Sequence, residues 1–135
     1  MIVQAAVKEF ASKGYQKASV NAIARELGIA KGSLYQYFAN KEALFLHVFE
    51  TFTTLVRESV KKRVSSAGGR DFFILTRKVL MAGIDFIDRH PEYFQLYLRV
   101  LFELDVPRRE ELVAKVRLFS GEYFGPICEQ AQKGG

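Results

Sequence analysis

Residues 10–45 read FASKGYQKASVNAIARELGIAKGSLYQYFANKEALF, and the placement of glycines, small residues and large apolar residues in this stretch decides the fold. Just upstream, Val3, Ala6, Val7, Phe10 and Ala11 recur at helical spacing, so a first helix is expected over about 2–13, closed by Gly14. Ser19 is a residue type that caps helix starts, here a short second helix over about 20–27 with Ile23, Ala24 and Leu27 inward. Three residues on stands Ala22, so no capping box reinforces that start. Gly28 suits a left-handed turn, and a third helix follows from Lys31 to Phe38. Three short helices with a glycine turn between the second and third form the pattern of a helix-turn-helix. Ala24 and Gly28 let the two helices cross closely, and Ile23, Leu27, Ile29 and Leu34 are the expected apolar pin between them.

Working outward, Asn40 is the expected cap of a long fourth helix running to about Val64, with Lys41 and Glu42 in its first turn. Its apolar set is Leu44, Phe45, Val48, Phe49, Phe52, Leu55, Val56 and Val60. SSAGGR at 65–70 breaks the chain by composition. A fifth helix fits 71–89, with Phe72, Leu75, Val79, Ala82 and Phe86 as one stripe. Pro91 favours the start of a sixth helix, over about 92–103. A seventh is expected at 108–124, with Leu112, Val116, Phe119 and Tyr123 on one face. No hairpin signal and no internal repeat interrupts the series. The fold class is therefore all-α: a three-helix helix-turn-helix unit over 1–47, joined by the long fourth helix to a helical bundle over 48–135.

Charge and composition narrow the function. The 135 residues carry a net charge of +5, of which +3 falls between Met1 and His47. A basic balance permits nucleic acid or anionic lipid as a partner, though a mild excess is also common in proteins that bind neither; most of it falls on the helix-turn-helix third. Enzymatic chemistry is not expected. His47 and His90 are far apart in sequence, Cys128 is the single cysteine and has no neighbouring base, and neither a nucleotide loop nor metal-ligand spacing occurs. No cofactor or metal is expected. No apolar run reaches membrane-spanning length and the start lacks the pattern of a signal peptide, so the cytoplasm is the expected location, with no membrane partner.

In a helix-turn-helix the second helix of the motif enters the major groove by its opening turn. Here that turn is Lys31, Gly32 and Ser33. Gly32 allows close backbone approach, Lys31 reaches a phosphate or a guanine edge, and Ser33 bonds to either. Tyr35 and Tyr37 lie about 200° apart around the helix, so one is expected to face DNA and the other to pack. Lys41 stands at a helix N-terminus, where a phosphate oxygen is also favoured.

The stretch 10–45 resembles the DNA-binding domain of TetR-family transcriptional regulators, at Phe10, Gly14, Tyr15, Ser19, Val20, Ile23, Ala24, Gly28, Ile29, Lys31, Gly32, Leu34, Tyr35, Tyr37, Phe38, Lys41, Glu42 and Leu44. The resemblance implies an N-terminal DNA reader and a C-terminal helical domain that binds a small effector and pairs subunits as a homodimer. Carried over residue by residue, it implies DNA contacts from Ser19, Lys31, Gly32, Ser33, Tyr35, Tyr37 and Lys41, with Lys41 on a phosphate. Two departures stand out. Ala22 replaces a frequent acidic residue, and Ala30 stands where Ser or Thr often caps the third helix; each change weakens a helix start by about 1 kcal/mol.

Beyond residue 47 the similarity is to fold rather than motif. Phe52, Phe86, Phe94, Tyr97, Phe102, Phe119 and Tyr123 are the candidate wall of an effector pocket for a small apolar or amphipathic ligand, with Tyr97, Arg99 and Arg77 as candidate orienting groups. The family's last two long helices have no counterpart in the sequence, so the regulatory part is expected to be incomplete at its C-terminal end. The function implied is a ligand-released transcriptional repressor. The alternative is a non-enzymatic helical interaction module, or a truncated regulator acting by pairing with a partner chain.

Overall fold

The computed structural model describes residues 2–65 and 71–117. They form α1 (Ile2–Lys17), α2 (Val20–Leu27), α3 (Lys31–Tyr37), α4 (Lys41–Ser65), α5 (Phe72–Arg89) and α6 (Pro91–Phe102), and a further helical stretch at 109–117. Among the described residues there is no strand, so the chain is all-α as its periodicity requires. No helix among them is long and apolar enough to cross a membrane.

The helix boundaries follow local chemistry, with one departure. The first helix does not stop before Gly14. That glycine takes φ 81 and ψ 168, a conformation essentially closed to other residues, and the chain then makes one more turn to Lys17. The extra turn is closed by the Ala18 N–H donating to the Gly14 carbonyl at 3.0 Å. At α2 the Ser19 hydroxyl accepts from the Ala22 N–H. The Asn40 side-chain carbonyl accepts from the Ala43 N–H at 2.8 Å and caps α4, as its position in the sequence predicts. Asp71 caps α5 by accepting from the N–H groups of Phe73 and Ile74. Pro91 opens α6, where its missing N–H costs nothing.

One core joins the small N-terminal helices to the longer ones. Phe10, Ile23, Leu34, Leu44, Phe45, Val48, Phe49, Leu96, Val100 and Leu112 are all buried in it. Phe10 meets Phe45 edge-on at 5.1 Å, a favoured aromatic geometry. Phe52 extends the core towards α5 and α6, stacking on Tyr93 and touching Phe86 and Tyr97. Burial, with the Glu92 charge as a smaller cause, raises the Tyr93 hydroxyl above its ordinary pKa. A second, smaller cluster of Val60, Val79 and Ala82 ties the far end of α4 to α5. The outer side of α5 is different: Phe73, Ile74, Leu80, Met81 and Ile84 are exposed.

Candidate nucleic-acid interface and effector cavity

The turn between α2 and α3 is built by Gly28. It adopts φ 69, ψ 27, its N–H donates to the Arg25 carbonyl, and the Ile29 N–H returns to the Ala24 carbonyl at 3.0 Å. This is a Schellman closure, which needs the left-handed conformation that glycine adopts without strain. The pin is smaller than the sequence predicts. Ile23 and Leu34 are fully buried, but Ile29 lies beyond the closure and is exposed. Ala30 provides no side-chain cap for α3, as expected of alanine; the first bond of that helix is Ser33 N–H to the Ala30 carbonyl.

Leu34 is the buried residue of α3. The rest of the helix looks outward: Lys31, Gly32, Tyr35, Gln36 and Tyr37 are exposed and Ser33 is half-buried. The expectation that one tyrosine packs is not met. Tyr35 is 40 % and Tyr37 72 % exposed. α3 is only seven residues long and a single side chain anchors it, so both flanks are left open. The Lys31 ammonium stands over the Tyr35 ring at 5.7 Å, a cation–π arrangement on the exposed face. Gly32 has nothing within 4 Å of where a Cβ would stand, so its surface is open to close approach.

Lys41 has an occupation that the sequence does not suggest. Its ammonium donates to the carbonyls of Tyr15 at 2.8 Å, Gln16 at 3.3 Å and Ala18 at 3.4 Å, and lies over the Tyr15 ring. These are carbonyls that the end of α1 leaves unsatisfied, and three donors meet three acceptors. Burial, and secondarily the Glu42 charge, raises the Tyr15 hydroxyl above its ordinary pKa. Ser19 is similarly engaged. Its hydroxyl caps α2, and its N–H donates to the buried Glu9 carboxylate at 2.8 Å. Glu9 also pairs with Lys13. Its role has no sequence signal except an acidic residue on the apolar face of α1. His47, on α4, lies 5.1 Å from the Phe38 ring, so it packs beside the motif.

A cavity of about 210 Å³ lies between α4, α5 and α6. Four of the seven candidate pocket residues line it: Phe52, Phe86, Phe94 and Tyr97. Among the described residues Thr53, Val56, Gly83, Ile87 and Val116 also line it; the sequence marks Val56 and Val116 as apolar-face residues and Gly83 as a glycine in mid-helix, and gives no signal for Thr53 or Ile87. No charged side chain lines it among the described residues. Phe102 is not part of the wall: it is 77 % exposed, half a turn round α6 from buried Tyr93. Phe119 and Tyr123 lie outside the described residues. Arg99 does not face the cavity either; its guanidinium donates to the Ala11 and Ser12 carbonyls of α1. Arg77 sits beside Ile74 and Met81 in a separate groove, a turn or more from the cavity-lining end of α5. Among the described residues no group of side chains is arranged to hold a metal ion.

A three-helix unit whose third helix is anchored by one leucine and largely exposed, continued into an all-helical bundle, defines a helix-turn-helix protein. In its N-terminal unit, residues 2–48, the chain matches the bacterial regulatory proteins of the tetR family. It is similar to the "Uncharacterized HTH-type transcriptional regulator YuxN" of Bacillus subtilis, 33% identical over 117 residues that make up 83% of this chain and 37% of the relative. The "Fatty acid metabolism regulator protein" of the same organism is 31% identical over 86 residues, 61% of this chain and 44% of the relative. The chain thus spans less than half the length of these curated relatives. In fold it resembles a TetR family transcription regulator from Marinobacter aquaeolei, with a TM-score of 0.79 at 23% identity over 98% of this chain and 68% of that one.

Proposed function

We propose that this chain is a sequence-specific, DNA-binding transcriptional regulator, a repressor released from its operator by a small ligand, with residues 1–47 as reader and 48–135 as the effector-responsive part. The observation that carries the reading is the outward opening turn of α3. Lys31, Gly32, Tyr35 and Tyr37 are exposed together on a helix whose anchor is Leu34. Lys31, Gly32 and Ser33 enter the major groove, Tyr35 and Tyr37 flank it, and the Ser19 end of α2 approaches the backbone. Lys41 supports this set from behind, since its donors are engaged with α1. Two-fold pairing doubles the phosphate contacts and matches a palindromic operator, which supports a homodimer. The uncharged wall of the cavity suits an apolar effector, and the relative named for fatty acid metabolism favours an acyl chain. No catalytic role is assigned.

The test is an anisotropy titration of the chain against a duplex selected from a random pool, at several salt concentrations, with Lys31→Ala beside it. Affinity falls steeply with salt, and the Lys31 variant lowers the slope by about 0.9 for each phosphate it no longer neutralises. A chain that selects no duplex, or binds with no salt dependence, is instead a protein-interaction module.

A further inference from the structure

We propose that Arg99 is a positioning residue: it holds the joint between α1 and α2 in register with the cavity-lining face of α6, so that what fills the cavity is felt at the DNA reader. The inference rests on the function proposed above for its biological meaning, but not for its physical test.

The joint is a weak point in the backbone. In a continuous helix the Ala11 and Ser12 carbonyls accept from the N–H groups four residues on, across Gly14. The non-helical torsions at Gly14 interrupt that ladder. Arg99 takes over the two carbonyls: its Nε donates to Ala11 at 2.6 Å and its Nη2 to Ser12 at 3.0 Å. Its Nη1 pairs with Glu103, which fixes the guanidinium from its own helix. The fit is close, since a Cβ added at Gly14 would lie 2.9 Å from Nη1 and 3.2 Å from the Glu103 carboxylate. A glycine here thus serves both the turn and the seat of the guanidinium. Gln16 adds a second tie by donating to the Asp105 carbonyl just past α6.

Two cations therefore hold the end of α1, Arg99 from α6 and Lys41 from α4. Only Arg99 is near the cavity along its own helix. It follows Tyr97, a cavity wall residue, by two positions, a rise of about 3 Å, whereas Lys41 is eleven positions from Phe52, about 16 Å. A shift of α6 caused by cavity occupancy reaches α1 through the shorter lever, and α1 carries Ser19 and the start of α2 with it.

Hydrogen exchange on the free chain tests this without DNA or an identified effector. Gly83→Leu serves as the filled state, because Gly83 lines the cavity and an added Cβ there meets nothing within 4 Å. The measured quantity is the exchange rate of amides 15–22 in four chains: parent, Gly83→Leu, Arg99→Met and the double variant. Filling the cavity is expected to change those rates about fivefold or more in the parent background and to leave them unchanged in the Arg99→Met background, a non-additivity that a merely stabilising arginine does not produce. Arg99→Lys keeps the charge but not the paired geometry, and is expected to transmit a reduced response; it replaces the methionine variant if that chain does not fold. No change on filling the cavity, or an equal change with and without Arg99, overturns the proposal. Failure to bind any duplex removes the regulator reading and leaves this result standing.

Discussion

The helices α1 to α3 and the helix α5 are stabilised in different ways. Around the first three, charged and polar side chains meet specific backbone groups: Ser19 caps α2, Glu9 accepts from the Ser19 N–H, and Lys41 and Arg99 satisfy carbonyls near the end of α1. The large apolar residues Phe10, Ile23 and Leu34 are fully covered. α5 has a capping aspartate and a buried stripe of Val79, Ala82 and Phe86, yet it leaves Phe73, Leu80 and Ile84 more than half exposed. A short-helix unit has little apolar area to spare, so it gains definition from directional bonds. A long helix is held mainly by area and tolerates a cavity beside it.

The contrast can be broken most sharply by truncating one phenylalanine on each side. Phe10→Ala, at a wholly buried site, is expected to cost about 3–5 kcal/mol, whereas Phe73→Ala, at a site 78 % exposed, stays within about 0.5 kcal/mol in urea denaturation. Equal costs would mean that Phe73 is covered in solution. Next in size is Gly14→Ala, which combines a positive φ with a close approach to the Arg99 guanidinium and is expected to cost about 1–3 kcal/mol. The same change at Gly83, in helical α5 with open space around it, is expected to stabilise by about 0.5–1 kcal/mol, so the two glycines should shift the melting midpoint in opposite directions.

The smallest effect concerns pH, and it treats the two regions alike. Tyr15 beside α4 and Tyr93 on α6 both have raised pKa values, from burial first and a nearby glutamate second. The folded state holds these protons more tightly than the unfolded chain. The stability they contribute is therefore complete below the ordinary tyrosine pKa of about 10 and is lost as pH rises through it and above. Urea midpoints at pH 9 and pH 11 should differ, and Tyr15→Phe should narrow the difference.

Much of this was legible in the chain itself. Gly28 with Ala24 specifies the turn because only a left-handed residue next to a small one permits it. Asn40 and Pro91 mark helix starts by their own hydrogen-bonding chemistry, and the stripe Val79, Ala82, Phe86 marks a buried face by period. Local signals of this kind act over three or four residues and survive without knowledge of the rest. What no local signal carries is the partner of a long side chain. Lys41 reads as a cation at a helix start, free to meet a phosphate, and in the folded chain its ammonium also reaches the carbonyls of Tyr15, Gln16 and Ala18. Arg99 reads as a pocket group and is spent 87 and 88 residues away on Ser12 and Ala11. Phe102 belongs to an aromatic set by composition, yet its angle round α6 turns it outward. The sequence determined which segments are helical and where they start and turn, because those choices are settled by neighbours along the chain. Only the tertiary structure decided which charges bind backbone and which remain exposed, because a flexible side chain goes to whichever unsatisfied group the packing of distant helices brings within its reach.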